Sequence, residues 1–66
     1  MRLGNQLQKL REEQKMSEEE VAAQLSVSVQ HVHKWENNKS YPDIQQLLKL
    51  GDIYGTTVDD LGFTDR

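Results

Sequence analysis

Two helix-start signals stand so close together in this chain that the segment between them has room for only about two helical turns. The first is Ser17 followed by Glu18-Glu19-Glu20. Its hydroxyl oxygen can accept from the third helical N–H while Glu20 reaches back, which makes a capping box, and three carboxylates suit the positive end of a helix. The second is Ser28, directly ahead of Val29-Gln30-His31-Val32-His33-Lys34-Trp35-Glu36. Val21, Ala22 and Leu25 give the first segment a short apolar face; Val32 and Trp35 do the same for the second. The spacing predicts a helix of about eight residues ending near Ser26, a turn of about three or four residues, and a helix over about 29–36.

The flanking segments are also helical in pattern. Leu3, Leu7 and Leu10 share one face among good helix formers, which predicts a first helix from about Leu3 to Gln14. Asn37-Asn38-Lys39-Ser40-Tyr41-Pro42 stops the third helix, with Asn38 suited to the left-handed conformation and Pro42 unable to continue a helix interior. Asp43 can cap or open a fourth helix, whose Ile44, Leu47, Leu48, Leu50, Ile53 and Tyr54 form a wide apolar stripe. Gly51 inside it costs roughly 1 kcal/mol against alanine, a cost tolerable where another helix packs close. Gly55 ends that helix, and Thr57 is expected to cap a short fifth one with Asp59 and Asp60 in its first turn. Leu61 and Phe63 would then close the core or form a dimer surface. No segment alternates as a strand does, so the chain reads as an all-α bundle of five helices. The expected core is Leu3, Leu7, Leu10, Met16, Val21, Ala22, Leu25, Val32, Trp35, Leu47, Leu48, Tyr54 and Leu61.

Composition narrows the class. A chain of 66 residues buries only about 60 % of its unfolded surface, so residues 1–66 are expected to form one domain with one core. It has no cysteine, which excludes disulfides, thiolate-bound zinc and a thiol nucleophile and favours a cytoplasmic setting. No apolar run approaches the ~20 residues that span a bilayer, and the start Met1-Arg2-Leu3-Gly4-Asn5-Gln6 lacks the apolar stretch of a signal peptide, so no membrane partner is expected. His31 and His33, two apart on a helix, point away from each other, so no metal is expected. Trp35 lies on an apolar face and reads as core rather than as a stacking platform. The serines read as caps, with no glycine-rich elbow or cofactor motif beside them, and the carboxylate pairs are too exposed to be tuned acids and bases. An enzyme and a bound cofactor are therefore not expected.

Two capped helices joined by a tight turn, the second with a polar outer face, form the helix-turn-helix arrangement, in which the second helix enters the DNA major groove. Beyond that spacing, several motifs occur in order: Leu3-Gly4, Leu10-Arg11, Met16-Ser17-x-Glu19-Glu20-Val21-Ala22, Val27-Ser28-x-Gln30, Lys34-Trp35-Glu36, Lys39-Ser40-Tyr41-Pro42-Asp43 and Leu47-Leu48-Lys49-Leu50. From about Leu3 to Leu61 the chain thereby resembles the Cro/repressor (XRE) family of bacterial and phage helix-turn-helix proteins. The resemblance implies a lambda-repressor-like bundle in which helices 2 and 3 form the helix-turn-helix. It further implies a transcriptional regulator of the repressor type that binds a double-stranded DNA operator, and because a single 66-residue reader makes few contacts, binding as a homodimer is expected.

Residue roles follow from the resemblance position by position. Base-reading positions map onto Val29, Gln30 and Lys34. An amide such as Gln30 can bond adenine N6 and N7 together, Lys34 can address guanine O6/N7 or a phosphate, and Val29 offers apolar contact to a thymine methyl. His31 and His33 flank these. Phosphate-clamp positions map onto Glu18, Ser28, Asn37, Lys39 and Ser40, and all but Glu18 can donate to phosphate oxygens. The family most often has glutamine where Glu18 stands, and an ionised carboxylate only accepts and repels phosphate. The resemblance also implies a structural ion pair between Arg11 and Glu36 that holds the recognition helix.

The formal charge of −3 opposes nucleic-acid binding until its distribution is considered. Acids concentrate in Glu18-Glu19-Glu20 and in Asp52, Asp59, Asp60 and Asp65, whereas residues 26–49 set Lys34, Lys39 and Lys49 against Glu36 and Asp43. The acidity thus lies largely away from the expected DNA face, Glu18 excepted, and predicts weak non-specific affinity. The alternative reading is a protein-interaction module on the same fold, with Glu18, Val29 and the acidic fifth helix marking a surface no longer used for DNA, or the glutamate run meeting a basic partner.

Overall fold

The structure, a computed structural model, describes residues 3–57. Four helices account for most of them: α1 (Leu3–Glu13), α2 (Glu18–Leu25), α3 (Val29–Glu36) and α4 (Ile44–Tyr54). No strand occurs among the described residues. The fifth helix expected after Thr57, with Asp59, Asp60, Leu61 and Phe63, lies outside the described residues. No described helix is long and apolar enough to cross a membrane.

The start of α2 is closed reciprocally: the Glu20 N–H donates to Ser17 Oγ at 3.1 Å and the Ser17 N–H donates to Glu20 Oε1 at 2.7 Å. Its end is made by Ser26 in the left-handed conformation (φ 59°), whose N–H donates back to the carbonyls of Ala22 and Ala23. Only Val27 and Ser28 then remain before α3. Ser28 has the extended backbone of a cap residue, yet its side chain makes no cap bond. The hydroxyl sits instead 3.3 Å from His31 Nδ1. His31 occupies the third helical position, where a capping box has Glu or Gln, so the local signal that closes α2 is missing at α3.

The core joins Leu3 and Leu7 of α1, Val21, Ala22 and Leu25 of α2, Val32 and Trp35 of α3, and Leu47, Leu50 and Tyr54 of α4. Leu10 and Met16, expected inside, are partly buried against it, as are Val27 and Ile53. Leu48 is a clear departure, since it is 55 % exposed while Leu50 is buried. The buried positions Leu47, Leu50, Gly51 and Tyr54 follow the i, i+3, i+4, i+7 rule of one helical face, and Leu48 falls one step outside it. Ile44, at 58 % exposed, also stays outside the core, although its spacing of three from Leu47 fits the stripe; it is the first residue of the helix.

Asp43 caps α4 through a second box, accepting from the Gln46 N–H at 2.8 Å while its own N–H donates to Gln46 Oε1 at 2.8 Å. Gly51 is needed for close approach, but not to a neighbouring helix: a Cβ there would lie 2.7 Å from the carbonyl oxygen of Thr56. After Gly55 turns left-handed (φ 68°), the chain folds back on its own helix and the Thr56 N–H donates to the Gly51 carbonyl at 2.9 Å. Between the helices, α3 packs against both α1 and α2, and α2 packs against α4.

Candidate nucleic-acid interface

One face of α3 is fixed from behind. Val32, Trp35 and Glu36 are all buried. The guanidinium of Arg11, from α1, donates through Nε to Glu36 Oε2 at 2.7 Å and through Nη2 to Glu36 Oε1 at 3.1 Å. Its remaining arm, Nη1, donates to the Met16 carbonyl at 2.9 Å, so one side chain ties α1, the α1–α2 turn and the end of α3 together. The hydrogen bond to Glu36 raises the Arg11 pKa above the ordinary guanidinium value and keeps it charged. Burial pushes the Glu36 carboxyl above the usual carboxylate range. Arg11 pulls it back, and the nearby Glu18 adds to the upward push. Tyr54 of α4 is likewise raised well above the ordinary phenol, first by burial and then by the charge of Glu36.

The end of α3 is fixed as well. Asn38 is left-handed (φ 59°), and its Oδ1 accepts from the Gly4 N–H at 2.9 Å. Gly4 lies so close that a Cβ on it would come within 2.5 Å of the Trp35 carbonyl oxygen, 2.6 Å of that of Glu36 and 2.7 Å of Asn38 Oδ1. Neither Gly4 nor this use of Asn38 follows from local sequence, because the two are 34 residues apart.

The opposite face of α3 is open. Val29, Gln30, His33 and Lys34 line a shallow groove with Glu18 and Glu19 from the start of α2. The structure thus brings together the three expected base-reading positions, His33 and Glu18. Glu19 joins them, a position that the sequence suggests only as part of a helix start. Glu18 Oε2 stands 3.4 Å from His33 Nδ1 across the groove wall. Ser28 and His31 sit together at the first turn of α3, with the His31 ring stacked on Trp35 at 6.4 Å between centroids. At the far end the Asn37 amide donates to the His33 carbonyl at 2.8 Å, so it is engaged with the last turn of its own helix. Lys39 follows in the loop with its backbone N–H already donated to the Lys34 carbonyl at 2.9 Å, which leaves its exposed ammonium as the outward donor; Ser40 beside it is half-buried. Among the described residues no group of three or more His, Asp or Glu could hold a metal ion.

This arrangement of a short capped helix, a tight turn and a second helix with one clamped and one free face matches a known family. A family model described as Helix-turn-helix matches residues 7–61. The chain belongs to this XRE-type helix-turn-helix family. The domains of the family serve DNA-binding transcription regulation. Among curated proteins, the helix-turn-helix chain is similar to the HTH-type transcriptional activator BcrR of Enterococcus faecalis, with 34 % identity over 61 residues. That match covers 92 % of this chain and 30 % of the relative, so the chain spans about a third of the relative's length.

Proposed function

We propose that this helix-turn-helix chain regulates transcription by binding a double-stranded DNA operator of defined sequence, with α3 lying in the major groove. The observation that carries the reading is the two-sidedness of α3: Val32, Trp35 and Glu36 are buried while Val29, Gln30 and Lys34 are exposed and line one groove. Gln30 reads adenine through its amide, Lys34 addresses guanine or a phosphate, and Val29 meets a thymine methyl. Ser28, Asn37, Lys39 and Ser40 contact the backbone, with His31 and His33 flanking. A single reader of this size makes few contacts, so the operator is two half-sites about 34 Å apart bound by a homodimer in the bacterial cytoplasm. Repression and activation both begin with that occupancy.

Selection from random duplexes at low salt, followed by affinity measurement across salt, tests the reading. Enrichment of a symmetric site and a steep loss of affinity with salt are expected. Gln30→Ala then relaxes preference at one base pair by ~1–3 kcal/mol, while Lys39→Ala weakens all sequences alike. Absence of duplex affinity at low salt overturns it and favours the protein-interaction reading, for which the carboxylates of Glu18 and Glu19 in the groove are the supporting observation.

A further inference from the structure

Outside the groove, the large apolar side chains left exposed among the described residues are Tyr41 at 59 %, Ile44 at 58 % and Leu48 at 55 %, all in the stretch 41–48. Ile44 and Leu48 lie one turn apart on α4, and Tyr41 precedes them in the loop that leaves α3. Gly51 continues this edge of the helix, and there the chain covers itself, with the Thr56 carbonyl oxygen 2.7 Å from where a Cβ would be. The fold-back stops at that point and leaves Ile44 and Leu48 open. Gln45 beside them is uncharged. Asp43 is turned to the helix start, where it accepts from the Gln46 N–H, and Lys49 lies about 100° further around the helix than Leu48. Charges stand at the two ends of the strip instead: Lys39 just ahead of Tyr41 and Asp52 one turn beyond Leu48.

We propose that this strip is where a second copy of the chain docks, α4 against α4 about a two-fold axis with the two helices antiparallel. The proposal rests on the operator-binding reading, which needs two copies, and names the surface that joins them. Near the axis of such a contact each residue meets its own copy or a close neighbour, so a central charge would oppose itself; the centre of this strip holds none. The antiparallel sense follows from the ends. It brings the Lys39 end of one copy beside Asp52 of the other, whereas parallel helices would set Asp52 against Asp52. Ile44 of each copy then faces Leu48 of the other. The location suits an operator, because Tyr41 directly follows Lys39 and Ser40, both assigned to the DNA backbone. In a body of 29 × 24 × 20 Å, two copies side by side set equivalent points roughly 25–35 Å apart, a range that includes the ~34 Å of one helical turn. Area sets the strength. The exposed parts of the three side chains amount to on the order of 300 Å² per copy, so the pair buries about half of the ~1,200 Å² at the lower limit for a stable complex. The contact is too small to hold a dimer in dilute solution and acts once adjacent half-sites bring two copies together.

Two measurements on the 66-residue chain test this. The chain has no cysteine, so an introduced one reports its own position. Chains with Ile44→Cys are mixed with chains with Leu48→Cys and oxidised, once on the selected operator and once at about millimolar concentration without DNA. The mixed disulfide is expected in excess over both symmetric ones, since only unlike positions come within the Cα separation of ~4.4–6.8 Å that a disulfide allows. Statistical proportions in both conditions, or an excess of a symmetric product in either, overturn the contact. The second measurement compares duplexes with one and two half-sites. Wild type is expected to fill the second half-site roughly tenfold more tightly than the first. Leu48→Glu keeps the single-site affinity and loses that gain, and Ile44→Lys/Leu48→Glu restores it by setting opposite charges across the axis. Cooperativity unchanged in Leu48→Glu overturns the contact while leaving operator binding intact. If that variant also has a lowered urea midpoint, the strip belongs to residues 58–66, with Leu61 and Phe63, and not to a second copy. Lack of affinity for any duplex overturns the operator reading alone, and the crosslink without DNA then decides the contact.

Discussion

The two sides of α3 are built by opposite means. On the side facing α1, groups are buried, bonded in pairs and spaced with no tolerance: Gly4 against the carbonyls of Trp35 and Glu36, Asn38 on the Gly4 N–H, Arg11 forked onto Glu36. On the side facing the groove, Val29, Gln30, His33 and Lys34 are exposed and contacts between side chains are long, 3.4 Å for Glu18 with His33 and 3.3 Å for Ser28 with His31. The first side fixes where the helix is, and the second leaves its functional groups free to be bonded by something else. A helix of eight residues could not hold that position by its own propensity, so the accuracy of the groove is borrowed from the packing behind it.

The sharpest way to break this asymmetry is at Gly4. Gly4→Ala forces a methyl against two backbone carbonyls, and a loss of about 3 kcal/mol is expected in urea unfolding, a large part of the total for a domain this small. Next comes the ion pair. Glu36→Leu leaves the Arg11 guanidinium without its partner and should cost about 2–3 kcal/mol, softened by the access of that group to water. The double variant Arg11→Met/Glu36→Leu should recover more than half of the loss, and a strictly additive result would show that the two side chains do not act as a pair. Alkali probes the same region through Tyr54. Because its folded-state pKa is raised, its contribution is complete below pH ~10 and is lost as pH rises further, at up to ~1.4 kcal/mol per pH unit. Tyr54→Phe should remove that part of the alkaline slope.

Smaller effects test the groove side. Ser17→Ala should cost about 1 kcal/mol, since it opens a complete capping box, whereas Ser28→Ala should cost well under half of that because its hydroxyl caps nothing. Equal losses would mean that the Ser28 hydroxyl turns to the helix in solution. Smallest of all, Gln30→Ala and Lys34→Ala should each alter stability by no more than about 0.5 kcal/mol while changing DNA affinity or base preference.

What could be read from the sequence follows the range of the interactions. The starts of α2 and α4 and the turn between α2 and α3 are encoded by residues three or four apart, and the expected boundaries of α3 coincide with the observed ones. The inward face of α4 is harder, because Leu47, Leu48 and Leu50 allow two overlapping stripes and only Tyr54 one turn further on decides between them. The Ser28 cap is legible as a position but not as a bond, since what matters is the residue at the third helical position, His31. Gly51 is legible as a close approach but not as to what approaches it. The Arg11–Glu36 pair is reached through family resemblance rather than through spacing, and the facing of Glu18 with His33 through neither. These partners come from different helices and meet only when the chain has folded.

The hydrogen bond from the Gly4 N–H to Asn38 has a consequence for the order of events during synthesis. α2 carries its own closing residues, so both of its ends have their partners once Ser26 has been translated. α1 is made first, yet one of its free amide groups waits for an acceptor that is translated 34 residues later. The earliest helix of the chain is therefore among the last to be sealed, and a nascent chain that stalls before Asn38 exposes an unfinished helix end rather than a preformed scaffold.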